Sequence, residues 1–267
     1  MGVQLAFIGG GNMAGAIFGG LLRSGWPAKA ITVVEPWAEQ RARIAAAWPG
    51  VVLLAAADAS LASAEIVVWA VKPQIFAEAA VACAGYLTGA LQLSVMAGIR
   101  NDAIARASGS ERVVRSMPNT PALIGQGIAG LVARAAVSAA DRASVEAVLA
   151  PTGQILWLER EEQLDAVTAL SGSGPAYVFF FIEAMMDAAE QMGLTREQGR
   201  TLAQATFAGA TALAMQSDES PATLRERVTS RGGTTFAALE SMRADGVQPA
   251  IVRALLAAQL RARELGR

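Results

Sequence analysis

Short apolar runs alternate with alanine-rich helical runs over the first 160 residues of the chain. The apolar runs are typical of strands buried on both faces of a parallel sheet. The intervening segments have helical length and composition, for example at Met13–Ser24 and Ala139–Leu149. This alternation predicts an α/β fold. The clearest predicted strands are Gln4–Gly9, Ile31–Glu35, Val51–Ala55, Glu65–Val71, Leu91–Met96, Arg112–Ser116, Ile128–Ala133 and Gln154–Glu159.

Helical signals replace the strand pattern after residue 161. We therefore predict two domains, an α/β domain over residues 1–160 and an all-helical domain over residues 161–267. Helix boundaries are indicated by a capping-box pair, by an N-cap followed by proline, and by two helix-terminating glycines. These are Thr195 with Gln198, Ser220 with Pro221, and Gly193 and Gly246.

The predicted helix Gly174–Met192 carries apolar residues on nearly all its sides, which indicates burial. Those residues are Tyr177, Phe179, Phe180, Phe181, Ile182, Met185 and Met186. A helical unit of about 100 residues cannot easily bury such a helix by itself. We therefore expect subunits to interlock there, as a homo-oligomer.

Composition restricts the class of partner. Hydrophobic residues make up 53% of the chain and charged residues 17%, with a formal net charge of −1, so nothing favours nucleic acid or an anionic membrane. The single cysteine, Cys83, excludes an internal disulfide, and with no histidine the chain offers no plausible zinc site. The stretch Ala176–Met186 is too short to span a bilayer. The start of the chain reads directly as a strand without a leader, so we expect a cytoplasmic protein that acts on a small molecule.

A glycine-rich turn follows the first predicted strand and opens the first helix. It matches the GxGxxA form of the dinucleotide fingerprint, which predicts a Rossmann-type domain. In that pattern Gly9 permits the tight turn, Gly11 lets the pyrophosphate approach the backbone, and Ala14 allows close packing of helix on strand. The predicted cofactor-binding residues of this turn are Gly9, Gly10, Gly11, Asn12, Met13 and Ala14.

Glu35 ends the second predicted strand, where the adenosine ribose of a dinucleotide lies. A carboxylate there accepts from a ribose 2′-OH and repels a 2′-phosphate, which favours NADH over NADPH. Two alternatives stay open. Arg41 and Arg43 come within reach of the same loop if the next helix begins at Pro36, and Glu35 could instead cap that helix.

Further cofactor contacts are predicted at the carboxyl ends of later strands, beside the nicotinamide half. These residues are Val71, Lys72, Pro73, Ala97 and Asn119. Lys72 could alternatively be a surface charge. Asn119 lies between Pro118 and Pro121 in what could be no more than a rigid loop, although such a loop would also build a wall of the nicotinamide pocket.

The missing residue types restrict the chemistry. An alcohol dehydrogenase usually needs a histidine or lysine to exchange the hydroxyl proton, but histidine is absent and the only lysines are Lys29 and Lys72. Reduction of a C=N bond is less demanding, because a protonated imine accepts hydride without a strong protein acid. Composition therefore favours an imine reductase.

The segment Ser230-Arg231-Gly232-Gly233-Thr234-Thr235 joins two predicted helices. A helix start of this kind offers unpaired N–H groups and hydroxyls to a carboxylate, although an ordinary turn capped by Thr234 is the alternative. The predicted substrate-binding residues here are Ser230, Gly232, Gly233 and Thr234, with the Thr235 hydroxyl on the substrate nitrogen. The run Ser171-Gly172-Ser173-Gly174-Pro175 reads as a second helix start, which lines the substrate or allows close helix packing.

These residues together resemble the pyrroline-5-carboxylate reductase family, essentially from end to end. The resemblance is carried by five segments: Gly9-Gly10-Gly11-Asn12-Met13-Ala14, Val71-Lys72-Pro73-Gln74, Met117-Pro118-Asn119-Thr120-Pro121, Leu170-Ser171-Gly172-Ser173-Gly174-Pro175-Ala176-Tyr177, and Pro221 through Val228-Thr229-Ser230-Arg231-Gly232-Gly233-Thr234-Thr235. The last two are highly specific to the family.

The resemblance implies reduction of 1-pyrroline-5-carboxylate to L-proline, the last step of proline synthesis, by NADPH or NADH. It implies a helical domain that binds substrate and intertwines into dimers, a catalytic role for Thr235, and a place near the site for Asp218. Two departures concern the cofactor. Relatives often carry an asparagine where this chain has Ala56-Ala57-Asp58, and a small polar residue followed by a cation where it has Glu35.

Two other functions compete with this interpretation. A β-hydroxyacid dehydrogenase shares the two-domain plan but needs a lysine in the helical domain, which has none. A dinucleotide-binding sensor without turnover would have no reason to keep Thr235 within the complete Gly-Gly-Thr-Thr run.

Overall fold

A computed structural model describes residues 3–266 of the chain, which form an eight-stranded sheet and eleven α-helices within that range. The strands are β1 (Leu5–Ile8), β2 (Ile31–Val34), β3 (Val52–Leu54), β4 (Ile66–Trp69), β5 (Leu91–Ser94), β6 (Val113–Met117), β7 (Gly127–Ala133) and β8 (Gly153–Trp157). The helices are α1 (Asn12–Arg23), α2 (Ala38–Ala47), α3 (Phe76–Cys83), α4 (Asn101–Ser108), α5 (Ala139–Leu149), α6 (Gln163–Val167), α7 (Gly174–Gln191), α8 (Arg196–Met215), α9 (Pro221–Arg227), α10 (Thr234–Ala244) and α11 (Val247–Leu265). All eight predicted strands are present, so the α/β fold with helices after it is confirmed.

The strand order in the sheet is β3-β2-β1-β4-β5-β6-β7-β8. Strands β1 to β6 are parallel and β8 is parallel to β7, but β7 is antiparallel to β6, so the sheet departs at this one pairing from the parallel arrangement predicted. The reason is the length of the connection, because only residues 118–126 separate β6 from β7. A parallel return needs a crossover of about a dozen residues or more.

Side chains alternate between the two faces of the sheet along β1. Leu5 and Phe7 belong to one buried cluster, with residues of α1, α2 and α5, whereas Ala6 and Ile8 belong to another, with residues of α3 and α4. Helices thus cover both faces, as the apolar strand runs predicted. The Trp69 indole N–H donates to Gln92 Oε1 at 2.8 Å, which satisfies two fully buried polar side chains on adjacent strands.

The chain divides into two compact units. The first contains the sheet and runs to Ser173, and the end of the chain from Ala258 belongs to it as well; the second is Gly174–Ala257. Within the first unit, a Cβ on Gly98 would lie 2.8 Å from the Leu265 carbonyl oxygen, and Arg100 Nε donates to the Gly266 carbonyl at 3.3 Å. The last residues therefore pack on the loop that follows β5.

The second unit confirms the predicted helix boundaries. Thr195 and Gln198 form a complete capping box before α8, and Ser220 Oγ accepts from the Thr223 N–H at the start of α9. The glycines at 193 and 246 both have positive φ. Helices α7 and α8 pack closely, since a Cβ on Gly199 would lie 2.7 Å from the Ala189 Cβ.

Helix α7 exposes much of its apolar surface in the single chain. Phe179 is 60% exposed and Phe180 is 68% exposed. Of the helices within residues 3–266, none is long and apolar enough to cross a membrane.

Candidate functional site

The predicted cofactor residues come together at one edge of the sheet. Strands β2, β1, β4, β5 and β6 are consecutive and parallel, so the segments after them meet at their shared carboxyl edge. Those segments contain Gly9–Ala14, Glu35, Val71–Pro73, Ala97 and Asn119. This edge, at the reversal of strand order around β1, is where open α/β sheets bind ligands.

Gly9 is required by the backbone conformation, and Gly10 by the packing of a side chain of α2. Gly9 has φ +98°, and a Cβ on it would lie 2.8 Å from the Ala70 carbonyl oxygen. A Cβ on Gly10 would lie 2.6 Å from Ile44 Cδ1. The first glycine thus makes the turn, and the second lets α2 pack against it.

Gly11 is different, because a Cβ there would meet nothing within 4 Å. It is the N-cap of α1 and makes no side-chain cap, so no N-cap side chain occupies the N–H groups of the first turn. Ala14 is fully buried beneath them. Open space, an uncapped helix start and its positive dipole end fit the pyrophosphate of a dinucleotide.

Glu35 is held by two backbone donors. Its Oε2 accepts from the Gly10 N–H and its Oε1 from the Trp37 N–H, each at 3.0 Å. Helix α2 begins at Ala38 rather than Pro36, with Trp37 as its N-cap, so Glu35 does not take the N-cap position considered above. Its carboxylate instead fixes the loop against the glycine turn.

One cation of α2, Arg41, binds the same loop by its backbone, whereas no such bond from Arg43 is present within residues 3–266. Arg41 Nη1 donates to the carbonyl oxygens of Glu35 and Pro36 at 2.7 and 2.6 Å. Gln40, which the sequence did not single out, donates to the Gly10 carbonyl at 2.7 Å. No motif marks Gln40; its partner lies 30 residues earlier in the chain, and only the fold brings the two together.

The later cofactor residues differ in exposure. Lys72 and Ala97 are exposed, whereas Val71 packs beside Gly9, where a Cβ on that glycine would meet Val71 Cγ1 at 3.0 Å. Asn119 is 9% exposed, and its Oδ1 accepts from the Ile128 N–H at 3.0 Å. Its side-chain oxygen therefore holds the proline-bounded loop on β7, which leaves the amide NH2 to donate elsewhere.

In the second unit, the turn Ser230–Thr235 leads into α10, whose N-cap is Gly233 without a side-chain cap. Gly232 has φ +74°, and the Gly233 N–H donates to the Ser230 carbonyl at 3.0 Å. A Cβ on Gly233 would lie 2.6 Å from Ser230 Oγ. The Gly233 amide is thus engaged within the turn, and the amides of Gly232 and Thr234 remain for a ligand.

Thr234 is exposed and Thr235 is half-buried. Neither hydroxyl has a hydrogen-bond partner among residues 3–266, so Thr234 does not cap the helix. Asp218 is exposed in the loop before α9, and it is the neighbouring Glu219 that pairs with Arg227 at the end of that helix. Thr235 therefore carries a hydroxyl that the fold leaves free.

The run Ser171–Pro175 is not a free helix start. A π-helical turn, Thr168–Gly172, joins α6 to α7, and the Ser173 N–H donates to the Thr168 carbonyl at 2.8 Å. The Ser173 N–H is therefore paired within the chain and is not free to line the substrate. A Cβ on Gly172 would lie 2.8 Å from Met117 Cε, which supports the alternative of close packing.

The thiol of Cys83 offers no reactive group. Burial raises the pKa of Cys83 to about 11, so the thiol stays neutral near pH 7 and packs in the core.

Comparisons with known proteins agree with this arrangement. Residues 161–265 match the family model described as pyrroline-5-carboxylate reductase dimerisation, and residues 4–98 match the model described as NADP oxidoreductase coenzyme F420-dependent. The pyrroline-5-carboxylate reductase of Pseudomonas aeruginosa is 46% identical over 264 residues, which cover 98% of this chain and 96% of the relative.

Two solved structures share the whole fold. A pyrroline-5-carboxylate reductase from Coxiella burnetii is 34% identical with a TM-score of 0.92, and covers 99% of both chains. The pyrroline carboxylate reductase of Plasmodium falciparum, determined with NADP bound, is 28% identical with a TM-score of 0.87, and covers 99% of this chain and 98% of the other.

Proposed function

The chain belongs to the pyrroline-5-carboxylate reductase family, and on this premise we propose which of its residues carry out the reaction. It is an NAD(P)H-dependent reductase that converts 1-pyrroline-5-carboxylate to L-proline. The relatives therefore favour this reaction over the two competing functions, a β-hydroxyacid dehydrogenase and a dinucleotide-binding sensor without turnover. The observation that carries the proposal is the free Thr235 hydroxyl at the start of α10.

We propose that the substrate carboxylate binds the turn before α10. The Gly232 and Thr234 amides and the Ser230 hydroxyl are its donors, and the helix dipole adds a favourable field. Gly233 contributes no donor; because it has no side chain, the Ser230 hydroxyl can lie close to its backbone. Asp218 stays a proposal as a group near the substrate, which its exposed position permits.

The Thr235 hydroxyl then holds the ring nitrogen of the substrate. When bound, the nicotinamide cofactor supplies the hydride that adds to the C=N carbon. A protonated imine becomes a neutral amine in that step and takes its last proton from water. No strong protein acid is required, in agreement with a chain that lacks histidine.

We propose that the first unit holds the cofactor by the open Gly11 position and the first turn of α1, that is, by Asn12, Met13 and Ala14. Lys72, Pro73 and Ala97 lie at the edge expected for the nicotinamide half, with Asn119 fixing the loop beside them.

We place the boundary between the dinucleotide-binding and helical domains near residue 160. Strand β8 ends at Trp157, helices follow from Gln163, and the dimerisation model begins at residue 161. The match to that model supports a homo-oligomer, and we propose that the exposed apolar side chains of α7 form the interface. A cytoplasmic location is a further proposal, supported by the biosynthetic reaction.

Substitution of Thr235 tests the proposal. Thr235→Val keeps the shape of the side chain and removes one hydrogen bond to the reacting group, so we expect kcat/KM for 1-pyrroline-5-carboxylate to fall about 10- to 1,000-fold. Thr235→Ser keeps the hydroxyl and should stay within a few-fold of the unmodified protein. Normal turnover by a folded Thr235→Val protein would show that the hydroxyl has no such role.

A further inference from the structure

The end of β2 carries a fixed negative charge. Both oxygens of Glu35 accept backbone hydrogen bonds, one from the buried Gly10 and one from the exposed Trp37, so a side chain that swings aside leaves the Gly10 N–H unpaired. Gly10 directly precedes Gly11, where the backbone is open to a pyrophosphate. The ribose next to that pyrophosphate therefore meets a carboxylate whose position is set by the turn itself.

The carboxylate of Glu35 has no ion-pair partner in the described part of the chain. Within residues 3–266, no lysine or arginine nitrogen lies within 4 Å of the Glu35 oxygens. Arg41, the nearest basic residue along the chain, directs Nη1 to the carbonyl oxygens of Glu35 and Pro36. Its guanidinium group braces the loop without pairing with the acid.

The same carboxylate uses the donors that a 2′-phosphate would need. Two N–H groups of the loop region, those of Gly10 and Trp37, already donate to Glu35. A carboxylate has about four acceptor positions, so each oxygen can still accept from a ribose hydroxyl. The loop thus offers acceptors to a 2′-OH and a like charge to a phosphate.

We propose that Glu35 makes this reductase select NADH against NADPH, with Gly10 and Trp37 holding its carboxylate in place. The selection acts at the adenosine end of the cofactor, far from the transferred hydride. It rests on the proposed function only in that the glycine turn binds the nicotinamide dinucleotide.

Binding of nucleotides without substrate tests this directly. Isothermal titration of the purified protein with NADH and NADPH should give a dissociation constant at least about ten-fold lower for NADH, which corresponds to about 1.4 kcal/mol. The fragments 5′-ADP and 2′,5′-ADP should show the same order, because the discrimination lies at the 2′ position. A ratio near one, or tighter NADPH binding, overturns the proposal.

Glu35→Gln removes the charge and keeps a similar shape, so the NADH preference should fall about ten-fold or more, mainly because NADPH binds more tightly. Glu39→Gln is the matched control, because Glu39 is an exposed acid in the first turn of α2, four residues after Glu35. Its substitution changes the net charge by the same amount. It should leave the ratio within about two-fold of the unmodified protein. An equal shift in both variants would show that any nearby negative charge has the same effect, and it would overturn the role assigned to Glu35.

The outcome is independent of turnover. A protein that binds NADH selectively but leaves 1-pyrroline-5-carboxylate untouched would contradict the proposed catalytic residues and support the selection. If Glu35→Gln fails to fold, a ratio near one for the unmodified protein and for the two ADP fragments still overturns the proposal.

Discussion

Gly11 is the position where fold and cofactor binding can be separated by a single methyl group. The backbone of Gly11 has φ −73° and ψ −172°, which alanine adopts without strain, and a Cβ there would contact nothing within 4 Å. The protein itself therefore tolerates Gly11→Ala, apart from a loss of about 0.5–1 kcal/mol because alanine is a poor N-cap residue. The added methyl group occupies the space through which a pyrophosphate would reach the first turn of α1.

The size of the effect follows from the hydrogen bonds at stake. A hydrogen bond to a charged group contributes about 1.5–3 kcal/mol. If the methyl group prevents one such bond, the dissociation constant for NADH rises about 10- to 100-fold. Both NADH and NADPH should lose affinity by the same factor, because the pyrophosphate is common to them.

Titration calorimetry with NADH, beside thermal unfolding of the same sample, provides the measurement. Gly9→Ala serves as the contrast, since φ +98° and a Cβ 2.8 Å from the Ala70 carbonyl oxygen should lower stability by about 1–3 kcal/mol. A Gly11→Ala protein that keeps its stability and binds NADH normally would refute the placement of the pyrophosphate. So would an affinity loss matched by an equal loss of stability.

Two further outcomes concern stability and assembly. The Arg112 guanidinium lowers the pKa of Asp141 from 3.8 to about 2, so this pair stabilises the fold above about pH 4 and loses that contribution as the pH falls towards 2. The Arg112 side chain is 42% exposed, so the contribution of the pair is small. Urea unfolding at pH 5 and at pH 2.5 should show that Arg112→Ala reduces the difference in unfolding free energy between the two pH values by about 1 kcal/mol. An equal difference in both proteins would contradict the pairing. Phe180→Glu places a charge on the exposed face of α7 and should reduce the mass measured by sedimentation, while Val81→Glu, exposed on α3, should not; an unchanged mass for Phe180→Glu would exclude that face as the interface.

Local patterns predicted most of the fold. The strands were recognisable because each is a short apolar run, and the start of α8 because Thr195 and Gln198 stand three residues apart. The direction of β7 was missed, since a strand pattern is the same in both directions and only the short connection decides.

The site was predictable in its residue types and less so in its contacts. The glycine turn and the Ser230–Thr235 turn follow from motifs whose members are adjacent in the chain. The bond between Glu35 and the Gly10 N–H links residues 25 positions apart, and it depends on the register of two neighbouring strands. The engagement of the Gly233 amide with the Ser230 carbonyl likewise depends on a backbone conformation that the residue types permit but do not dictate.

The packing of the last residues against Gly98 and Arg100 means that the sheet-containing unit is assembled from two stretches of chain that synthesis separates by all of Gly174–Ala257. A ribosome that has completed all eight strands has still not made the piece that covers the loop after β5. A fragment cut at Ser173 would lack that cover. The sheet-containing unit is therefore completed only when the last helix has been made.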